Sequence, residues 1–562
     1  MMLTTPQIFP HAPGTRSTRR PPRRRTLTIT ALLAAGSLAL TACAPAVTTT
    51  GKTAAYELTG TTPAPSGQLD SFTWSIYAEP SSLDYAHAYD FPDDQVLSNV
   101  CESLLRTNPD LSISPGLAAK WENPTPTTWV YTIRSGVTFH DGTPLTAADV
   151  VASLKRHVDP AVGSPWAVAF ANVSSIEQTS GMEVTVTTST PDSQFNLAMA
   201  SIPGEVESAA TLAKDGANYG NAGTGVNCTG PFSLEKWDSG SSITLKRYDA
   251  YWDKTLLAKS KQVKFVFLSD PNTRINAFKS GEVDGGWLIP SNAIDQLKAS
   301  PNGKLYFGLN TTVADEVVSN MSGPLGDQRV RKALMMAIDR RGLVAAGEQG
   351  YAKVTDALTT RSVWNGAQGG VADNAFNGLE SYPVDIAAAK KLVADAGATD
   401  KEIVIATSPI YAGADVVAQA VAAAATSIGL KPRIDTIPPA KYTTLFTDPA
   451  ARKGIDLFFT MWNNSIADPL EMYAVLRTGE ASNYGGWSNP DFDATVNKAI
   501  GISDPTDRAR ESTKAQHIAN TELPWLPLYE VPTTVWLGSR ITGVSPSISY
   551  LYSPWAAAIG AN

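Results

Sequence analysis

The sequence is poor in the residues that most often carry catalysis and metal binding. Its 562 residues include only three cysteines and five histidines. The histidines are far apart in the chain, at His11, His87, His140, His157 and His517. Neither the zinc-protease motif HExxH nor the nucleophile motif GxSxG occurs. We therefore expect neither a histidine-rich zinc site nor an enzyme.

Two glycine-containing stretches match nucleotide-binding motifs only in part. Gly51-Lys52-Thr53 ends like a phosphate-binding loop, but Ala46 occupies the place of the first glycine. Gly223-x-Gly225 has Cys228 where a dinucleotide fingerprint needs glycine or alanine. We therefore expect no cofactor.

Positive charge is scarce outside the first 42 residues. The chain has 45 basic and 53 acidic side chains, and six of its arginines but none of its acids lie in residues 1–42. The remainder thus carries 39 basic and 53 acidic groups. Nucleic acid is not an expected partner, because its binding needs a surface of positive charge.

No apolar run is long enough for a transmembrane helix. The candidate at 27–40 has about 14 residues, against the ~20 of a membrane span. It follows the arginines and precedes small residues, which is the pattern of a secretory signal. The ending Leu40-Thr41-Ala42-Cys43 resembles a bacterial lipobox, in which the cysteine is acylated. We expect a signal at 1–42 and a lipid anchor at Cys43 on the extracytoplasmic side of the cell membrane; an ordinary cleaved signal and a transmembrane helix are the alternatives.

The other two cysteines would then lie in an oxidising compartment. Cys101 and Cys228 are predicted to form a disulfide. Two separately buried thiols are the alternative, because a bond also needs Cα atoms within ~7 Å.

The pattern downstream of Cys43 indicates an α/β body behind a flexible tether. Residues 43–69 are rich in Ala, Thr, Pro and Gly and are predicted to be the tether. Residues 72–77 alternate like a strand, and 93–106 have helical spacing. Strand and helix patterns then alternate along the chain, as an α/β fold requires.

Eight short motifs follow one another between residues 115 and 529. They are 115–150 with WVYTIR and GVTFHDGTPLTAADV, 223–232 (GTGVNCTGPF), 247–252 (RYDAYW), 270–274 (DPNTR), 277–284 (AFKSGEVD), 330–340 with VRKAL and AIDR, 482–493 (SNYGGWSNPDFD) and 524–529 (PWLPLY). In this order they resemble the family 5 solute-binding proteins of ABC importers, which include dipeptide-, oligopeptide- and nickel-binding proteins.

The resemblance implies a two-lobed α/β fold of the periplasmic-binding-protein type, type II with an inserted subdomain. The expected division is 70–95, 222–310 and 525–562 for lobe I, 96–221 for the insertion and 311–524 for lobe II. The hinge is expected near 308–310 and 522–525.

The resemblance also implies a function. A monomer would capture a solute between its lobes, most often an oligopeptide or dipeptide, and deliver it to a membrane permease. A non-peptide solute such as an oligosaccharide or nickel chelate, or a chemosensory role, are the alternatives; an extracellular enzyme is less favoured.

Ligand contacts are expected from aromatic side chains at strand ends facing the cleft. Tyr89 and Phe91 are candidates in the loop at 84–91, and Tyr484 adds a further ring. Trp287 follows Gly285-Gly286 and is predicted to be either a ligand platform or a plug in the core.

The strand pattern at 456–461 delivers Trp462, Asn463, Asn464 and Ser465 to the ligand side of an α/β lobe. Peptide binders of the family commonly have an aspartate where this chain has Ser465, to pair with the peptide's ammonium. Either Asp468 supplies that carboxylate or the ligand is not a free-amine peptide. On this reasoning Ser465→Asp should improve the binding of short free-amine peptides.

Overall fold

The computed structural model describes residues 56–411 and 413–562, so the predicted signal and Cys43 lie outside the described part. Residues 56–68 do not form the tether expected of them. The backbone N–H of Thr59 donates to Phe307, and Thr62 donates through its N–H and its Oγ1 to the carbonyl of Val544. The tether prediction is wrong for this segment because these hydrogen bonds fix it to the folded body.

The strands and helices alternate as the sequence pattern indicates. The strands are β1 Leu69–Ile76, β2 Glu102–Ser103, β3 Leu105–Thr107, β4 Ile113–Pro115, β5 Ala118–Thr125, β6 Thr128–Ile133, β7 Val173–Ser180, β8 Glu183–Thr188, β9 Glu205–Val206, β10 Phe232–Asp238, β11 Ser242–Arg247, β12 Ser260–Phe267, β13 Gly285–Trp287, β14 Gly303–Gly308, β15 Thr312–Val318, β16 Lys353–Val354, β17 Glu402–Thr407, β18 Lys431–Thr436, β19 Leu457–Asn463, β20 Trp525–Glu530, β21 Thr533–Gly538, β22 Ile541–Thr542 and β23 Gly560–Ala561. The α-helices are α1 Phe91–Val100, α2 Ala147–Val158, α3 Phe195–Ala198, α4 Ala209–Asp215, α5 Pro271–Ser280, α6 Ile294–Lys298, α7 Gln328–Ala337, α8 Arg340–Gly347, α9 Val371–Phe376, α10 Ile386–Asp395, α11 Ala414–Ser427, α12 Pro439–Tyr442, α13 Leu470–Ala474, α14 Pro490–Ile500 and α15 Pro505–Glu522.

Two mixed sheets form the centres of the two lobes. Lobe I contains a seven-stranded sheet of order β10-β11-β12-β1-β13-β21-β14, and lobe II a six-stranded sheet of order β16-β20-β15-β19-β17-β18. Alternate side chains of a strand point to opposite faces. In β19, Phe459 accordingly packs with α7, α10 and α11, whereas Phe458 packs with α14 and α15. The predicted two-lobed α/β fold is confirmed.

A four-stranded antiparallel sheet, β5-β6-β8-β7, lies between the first and later strands of lobe I in the sequence. Its core includes Tyr131, Val150 and Phe170. Helix α2 begins with the capping box that the sequence predicts: Thr146 accepts from the N–H of Asp149, whose carboxylate accepts from the N–H of Thr146.

The chain crosses between the two large sheets at two places. The first crossing is 309–311, between β14 and β15, as expected; the second is 531–532, between β20 and β21. Strand β20 pairs with β15 of lobe II, so the predicted return to lobe I at 525 comes too early. The sequence of β20 does not show which sheet contains it, because a buried strand has the same apolar pattern in either sheet.

The helix predicted at 93–106 ends earlier, at Val100. Cys101 is bonded to Cys228, with Cα atoms 4.9 Å apart, so the two cysteines that the sequence pairs do form a disulfide. Glu102 then pairs with Val206 in a short strand ladder. These two long-range attachments turn the chain away from the helical path.

Candidate functional site

Strand β19 delivers an aromatic ring to the edge of lobe II. It lies in the centre of the six-stranded sheet, between β15 and β17, and ends at Asn463. The ring of Trp462 is half-buried and packs edge-on against Trp525 at 5.4 Å between centroids. Tyr484 stacks on the same Trp525 at 5.8 Å and is 8% exposed. Trp462 is therefore the more accessible ring of this group.

The two asparagines after Trp462 attach the strand end to the first crossing between the lobes. The side-chain oxygen of Asn463 accepts hydrogen bonds from Thr311 Oγ1 at 2.8 Å and Thr312 Oγ1 at 3.1 Å. Thr311 Oγ1 also lies 2.8 Å from the carbonyl oxygen of Asn464. The segment that joins the lobes therefore fixes the position of the residues that follow Trp462.

Ser465 lies beside a carboxylate that comes from elsewhere in the chain. Its hydroxyl donates to Glu471 Oε1 at 2.5 Å, and the N–H of Ile466 donates to Glu471 Oε2 at 2.9 Å. Burial raises the pKa of Glu471 to about 7, against the opposing effect of these hydrogen bonds. A carboxyl group therefore does occupy this region, although residue 465 itself is a serine.

Asp468 does not supply that carboxyl group. Its Oδ2 accepts from Arg508 Nε at 2.7 Å, and its Oδ1 accepts from the N–H of Leu470. Both side chains of the ion pair are almost fully buried. The interpretation of Asp468 as a free ligand carboxylate is wrong because Arg508 already neutralises it.

The loop after β19 contacts the rest of the molecule. Ile466 packs into the core of the four-stranded sheet, and Ala467 packs against the core of lobe I. Ser465 in this loop and Glu471 at the start of α13 therefore lie at the junction of the lobes.

The loop at 84–91 lies on the lobe I side of the same junction. Asp84 fixes it through two hydrogen bonds from Arg156, each 2.6 Å long. Tyr89 is 65% exposed, with its ring 5.2 Å from Trp166. Phe91 is half-buried and begins α1. Tyr89 is the better placed of the two to contact a ligand.

Of the two roles that the sequence allows for Trp287, ligand platform or plug in the core, the structure shows the plug. Its ring is fully buried and stacks on Tyr550 at 4.2 Å, with Trp74 and Trp555 at 5.7 and 5.6 Å. A ring enclosed by three aromatic neighbours offers no face to a ligand. The platform interpretation of Trp287 is therefore wrong.

Three further residues of this region, Asp94, Glu471 and Tyr552, are not predicted from the sequence. Burial, followed by the charges of Asp94 and then Glu471, raises the pKa of Tyr552 well above its usual value. Asp94 reads as an ordinary acidic residue of a first helical turn, and Glu471 as part of the loop after β19. No local pattern reveals that the chain brings them to one tyrosine.

Within the described ranges, none of the helices has the length and apolarity needed to span a membrane. The family model "Bacterial extracellular solute-binding proteins, family 5 Middle" matches residues 112–484. The dipeptide-binding protein DppE of Bacillus subtilis is 24% identical over 511 residues, covering 85% of this chain and 90% of DppE. The oligopeptide-binding protein OppA of the same organism is 26% identical over 496 residues, covering 84% and 89%.

Solved structures show the same fold. The periplasmic binding protein DppA of Helicobacter pylori, in complex with the peptide STSA, aligns with a TM-score of 0.74 at 20% identity, covering 88% of this chain and 98% of that one. AppA of Bacillus subtilis, in complex with a nonapeptide, aligns with a TM-score of 0.72 at 18% identity, covering 89% and 100%. These relatives are named as binding proteins. The chain belongs to the bacterial extracellular solute-binding proteins of family 5.

Proposed function

We propose that the protein is the extracytoplasmic receptor of an ABC importer and that it captures a peptide between its lobes for delivery to a membrane permease. The observation that carries this proposal is the loop after β19. It brings the half-buried Trp462 and the Ser465–Glu471 pair to the place where Ile466 and Ala467 meet the other lobe. The relatives named for dipeptides and oligopeptides support a peptide as the solute.

The mechanism is closure of the lobes around the solute, without covalent chemistry. The crossings at 309–311 and 531–532 are the segments that can act as the hinge. A solute favours the closed arrangement only by binding it more tightly than the open one, so contacts from both lobes are required. Tyr89 on one side and Trp462 on the other meet this requirement.

A non-peptide solute is the second candidate, because Ser465 replaces the aspartate common among peptide binders. One relative is named as a probable deoxycholate-binding protein of Escherichia coli, and one structural neighbour is AgaA in complex with agropinic acid. Family membership alone therefore does not decide the solute.

Native mass spectrometry of the protein purified from its host tests the proposal. A retained mass that fragments as a peptide supports it, and titration calorimetry with short peptides then measures the affinity. A retained non-peptide mass, with no heat from any peptide of two to five residues, would favour the second candidate instead.

We also propose that Cys43 carries the lipid anchor, since it ends the lipobox-like LTAC. Cys43→Ser should release the protein into the medium or periplasm, because several acyl chains are what make such attachment lasting. Membrane fractionation of cells expressing the variant decides this. Membrane retention equal to that of the wild type would contradict the anchor.

A further inference from the structure

A buried carboxyl group lies against the disulfide. Glu207 follows β9, and its Oε1 lies 3.7 Å from the sulfur atoms of both Cys101 and Cys228. All three side chains are buried, and their ligand atoms lie within 4.8 Å of one another. Cysteine sulfur and carboxylate oxygen are ligands that Zn²⁺ accepts in proteins. The three residues therefore have the composition of a metal site, although the two sulfurs are bonded to each other in this state.

The backbone brings Cys101 and Glu207 together without help from the disulfide. Strands β2 and β9 are antiparallel and pair Glu102 with Val206, which places residue 101 opposite residue 207 at the end of the ladder. Glu207 is held further by Ser153, whose Oγ accepts from the N–H of Glu207 at 3.1 Å and lies 3.3 Å from its carbonyl oxygen. These contacts persist when the sulfur–sulfur bond is broken.

The segment that carries Cys228 is also fixed by its backbone. The carbonyl oxygen of Cys228 accepts from the N–H of His140 at 2.8 Å, and the N–H of Gly230 donates to the carbonyl oxygen of Val100 at 2.9 Å. Gly230 tolerates no side chain here, because an added Cβ would lie 2.5 Å from that same oxygen. Both cysteines therefore stay close to Glu207 in the reduced protein.

Glu207 lacks the partners that a buried carboxyl group needs. Its Oε2 has no hydrogen-bond partner among the described residues. Arg156 Nη1 is 3.8 Å from this oxygen, but the same guanidinium donates twice to Asp84 at 2.6 Å. Burial, and then the charge of Asp84, raises the pKa of Glu207 well above its usual value. A divalent cation beside the group would reverse this effect and satisfy the oxygen.

We propose that Cys101, Cys228 and Glu207 bind a thiophilic divalent cation, with Zn²⁺ as the best match, when the disulfide is reduced. A dithiol reductant supplies the two electrons that break the sulfur–sulfur bond, transfers its two protons to the cysteines and becomes a disulfide itself. The cation then displaces both thiol protons and binds two thiolate sulfurs and the carboxylate. A second carboxylate oxygen or a water completes the four ligands that zinc prefers.

The metal and the disulfide would exclude each other, because the same sulfur atoms form both. The disulfide is the state expected in an oxidising compartment. The metal would take its place in a chain whose thiols are still reduced, and would link the end of α1 to the segment at 228 in the same way. This inference goes beyond the proposed function and does not depend on which solute the protein binds.

Titration with Cd²⁺, a spectroscopic substitute for Zn²⁺, tests the site. The Cys43→Ser chain is used, so that Cys101 and Cys228 are its only thiols. It is reduced with dithiothreitol in urea, separated from the reductant by gel filtration and refolded without oxygen. One equivalent of Cd²⁺ should bind with thiolate-to-metal charge-transfer absorption, and Zn²⁺ should protect both thiols from alkylation. The oxidised protein should show neither effect.

Two substitutions identify the ligands. Glu207→Gln should weaken Cd²⁺ binding at least about tenfold. Cys228→Ser should weaken it further, because a thiolate is the stronger ligand for a soft cation. Glu205→Gln is the matched control and should bind as the parent chain does. Glu205 is also buried and has one oxygen without a partner, but it does not belong to the three-residue group.

Thermal unfolding of the oxidised Glu207→Gln and Glu205→Gln proteins first checks that they fold. Absence of charge-transfer absorption in the reduced parent chain overturns the metal site, as does parent-strength binding by Glu207→Gln or Cys228→Ser. A reduced chain that stays unfolded is refolded again with Zn²⁺ or with Mg²⁺, followed by circular dichroism. Recovery with Zn²⁺ alone supports the site, whereas equal recovery with both ions, or recovery with neither, overturns it.

Discussion

Trp287 and Trp462 occupy similar places in the two lobes but different surroundings. Trp287 ends β13 between β1 and β21, and Trp462 lies at the end of β19 between β15 and β17. Trp287 is fully buried among three aromatic rings, whereas Trp462 is half-buried and packs against Trp525. Position on a central strand therefore does not decide whether an indole faces the core or the junction.

The segments that cover each ring explain the difference. Trp287 is covered by the two short helical turns Ile548–Leu551 and Trp555–Ala558, which come more than 250 residues later. The chain after Trp287 also stays attached to β21, since Leu288 and Ile289 donate to Thr534. After Asn463, in contrast, the chain leaves the sheet as a loop. In lobe I a segment from far along the chain covers Trp287 and makes it part of the core. In lobe II no such segment of the described chain covers Trp462, because the chain leaves the sheet as a loop.

Replacing each of the two tryptophans with alanine should give the largest difference in stability between the two places. Trp287→Ala should lower the free energy of unfolding by about 3–5 kcal/mol, because it opens a cavity in a closed aromatic core. Trp462→Ala should cost only about 1–2 kcal/mol, because its side chain is only partly buried. Urea denaturation followed by circular dichroism measures both. Equal losses in the two variants would show that Trp462 is a core residue too.

Substitutions of the two acidic residues that follow Trp462, Asp468 and Glu471, should differ in their effect on the free energy of unfolding. Asp468→Asn removes the carboxylate that neutralises buried Arg508 and should cost about 2–3 kcal/mol, as hydrogen bonds to charged groups do. Glu471→Gln keeps one acceptor, for the N–H of Ile466, and its amide can donate to the Ser465 hydroxyl. It should change the unfolding free energy by only about 1 kcal/mol, since burial already disfavours the charge of Glu471. The same denaturation experiment applies. A larger loss for Glu471→Gln would mean that Glu471 is a structural residue.

Short-range patterns predict much of this molecule. The capping box at Thr146, the strand that carries Trp462 and the alternation of strand and helix are all local, and each is visible in the sequence. The motifs at 115–529 add the family and hence the two-lobed fold.

What the sequence does not reveal depends on distant segments. The end of α1 depends on the bond to Cys228, and the burial of Trp287 on Tyr550. The role of Asp468 depends on Arg508, in a helix 40 residues away. Such contacts become visible only when the chain is folded, because hydrophobic periodicity reports which face is buried but not what covers it.

Ligand binding beside Trp462 should depend on pH, because Glu471 lies in the same region; no such dependence is expected from the aromatic core around Trp287. The pKa of Glu471 is raised to about 7, so its carboxylate is mostly ionised above that pH and mostly neutral below it. The groups that affect its pKa are Ser465, Ile466 and Asp468, whose partner is Arg508, and its own charge, after burial, raises the pKa of Tyr89 and Tyr552.

Trialanine affinity should therefore fall about fivefold from about pH 8 to about pH 6, because Glu471 loses most of its charge while the α-ammonium of trialanine, with a pKa of about 8, becomes fully protonated. Titration calorimetry in overlapping buffers measures the change, and Glu471→Gln should flatten most of it. Affinity that rises on acidification would contradict a carboxylate as the anchoring group.

The smallest effect should come from Ser465, where the sequence and the structure lead to opposite expectations. Family resemblance favours a gain in peptide binding for Ser465→Asp. In the structure the Ser465 hydroxyl donates to Glu471 Oε1 at 2.5 Å, so aspartate would remove a donor and place a like charge beside an existing carboxylate. We expect trialanine affinity to fall about two- to tenfold, with Ser465→Ala as the control for loss of the donor alone. Tighter trialanine binding by Ser465→Asp would instead show that the site needs its carboxylate at position 465 and that Glu471 does not provide it.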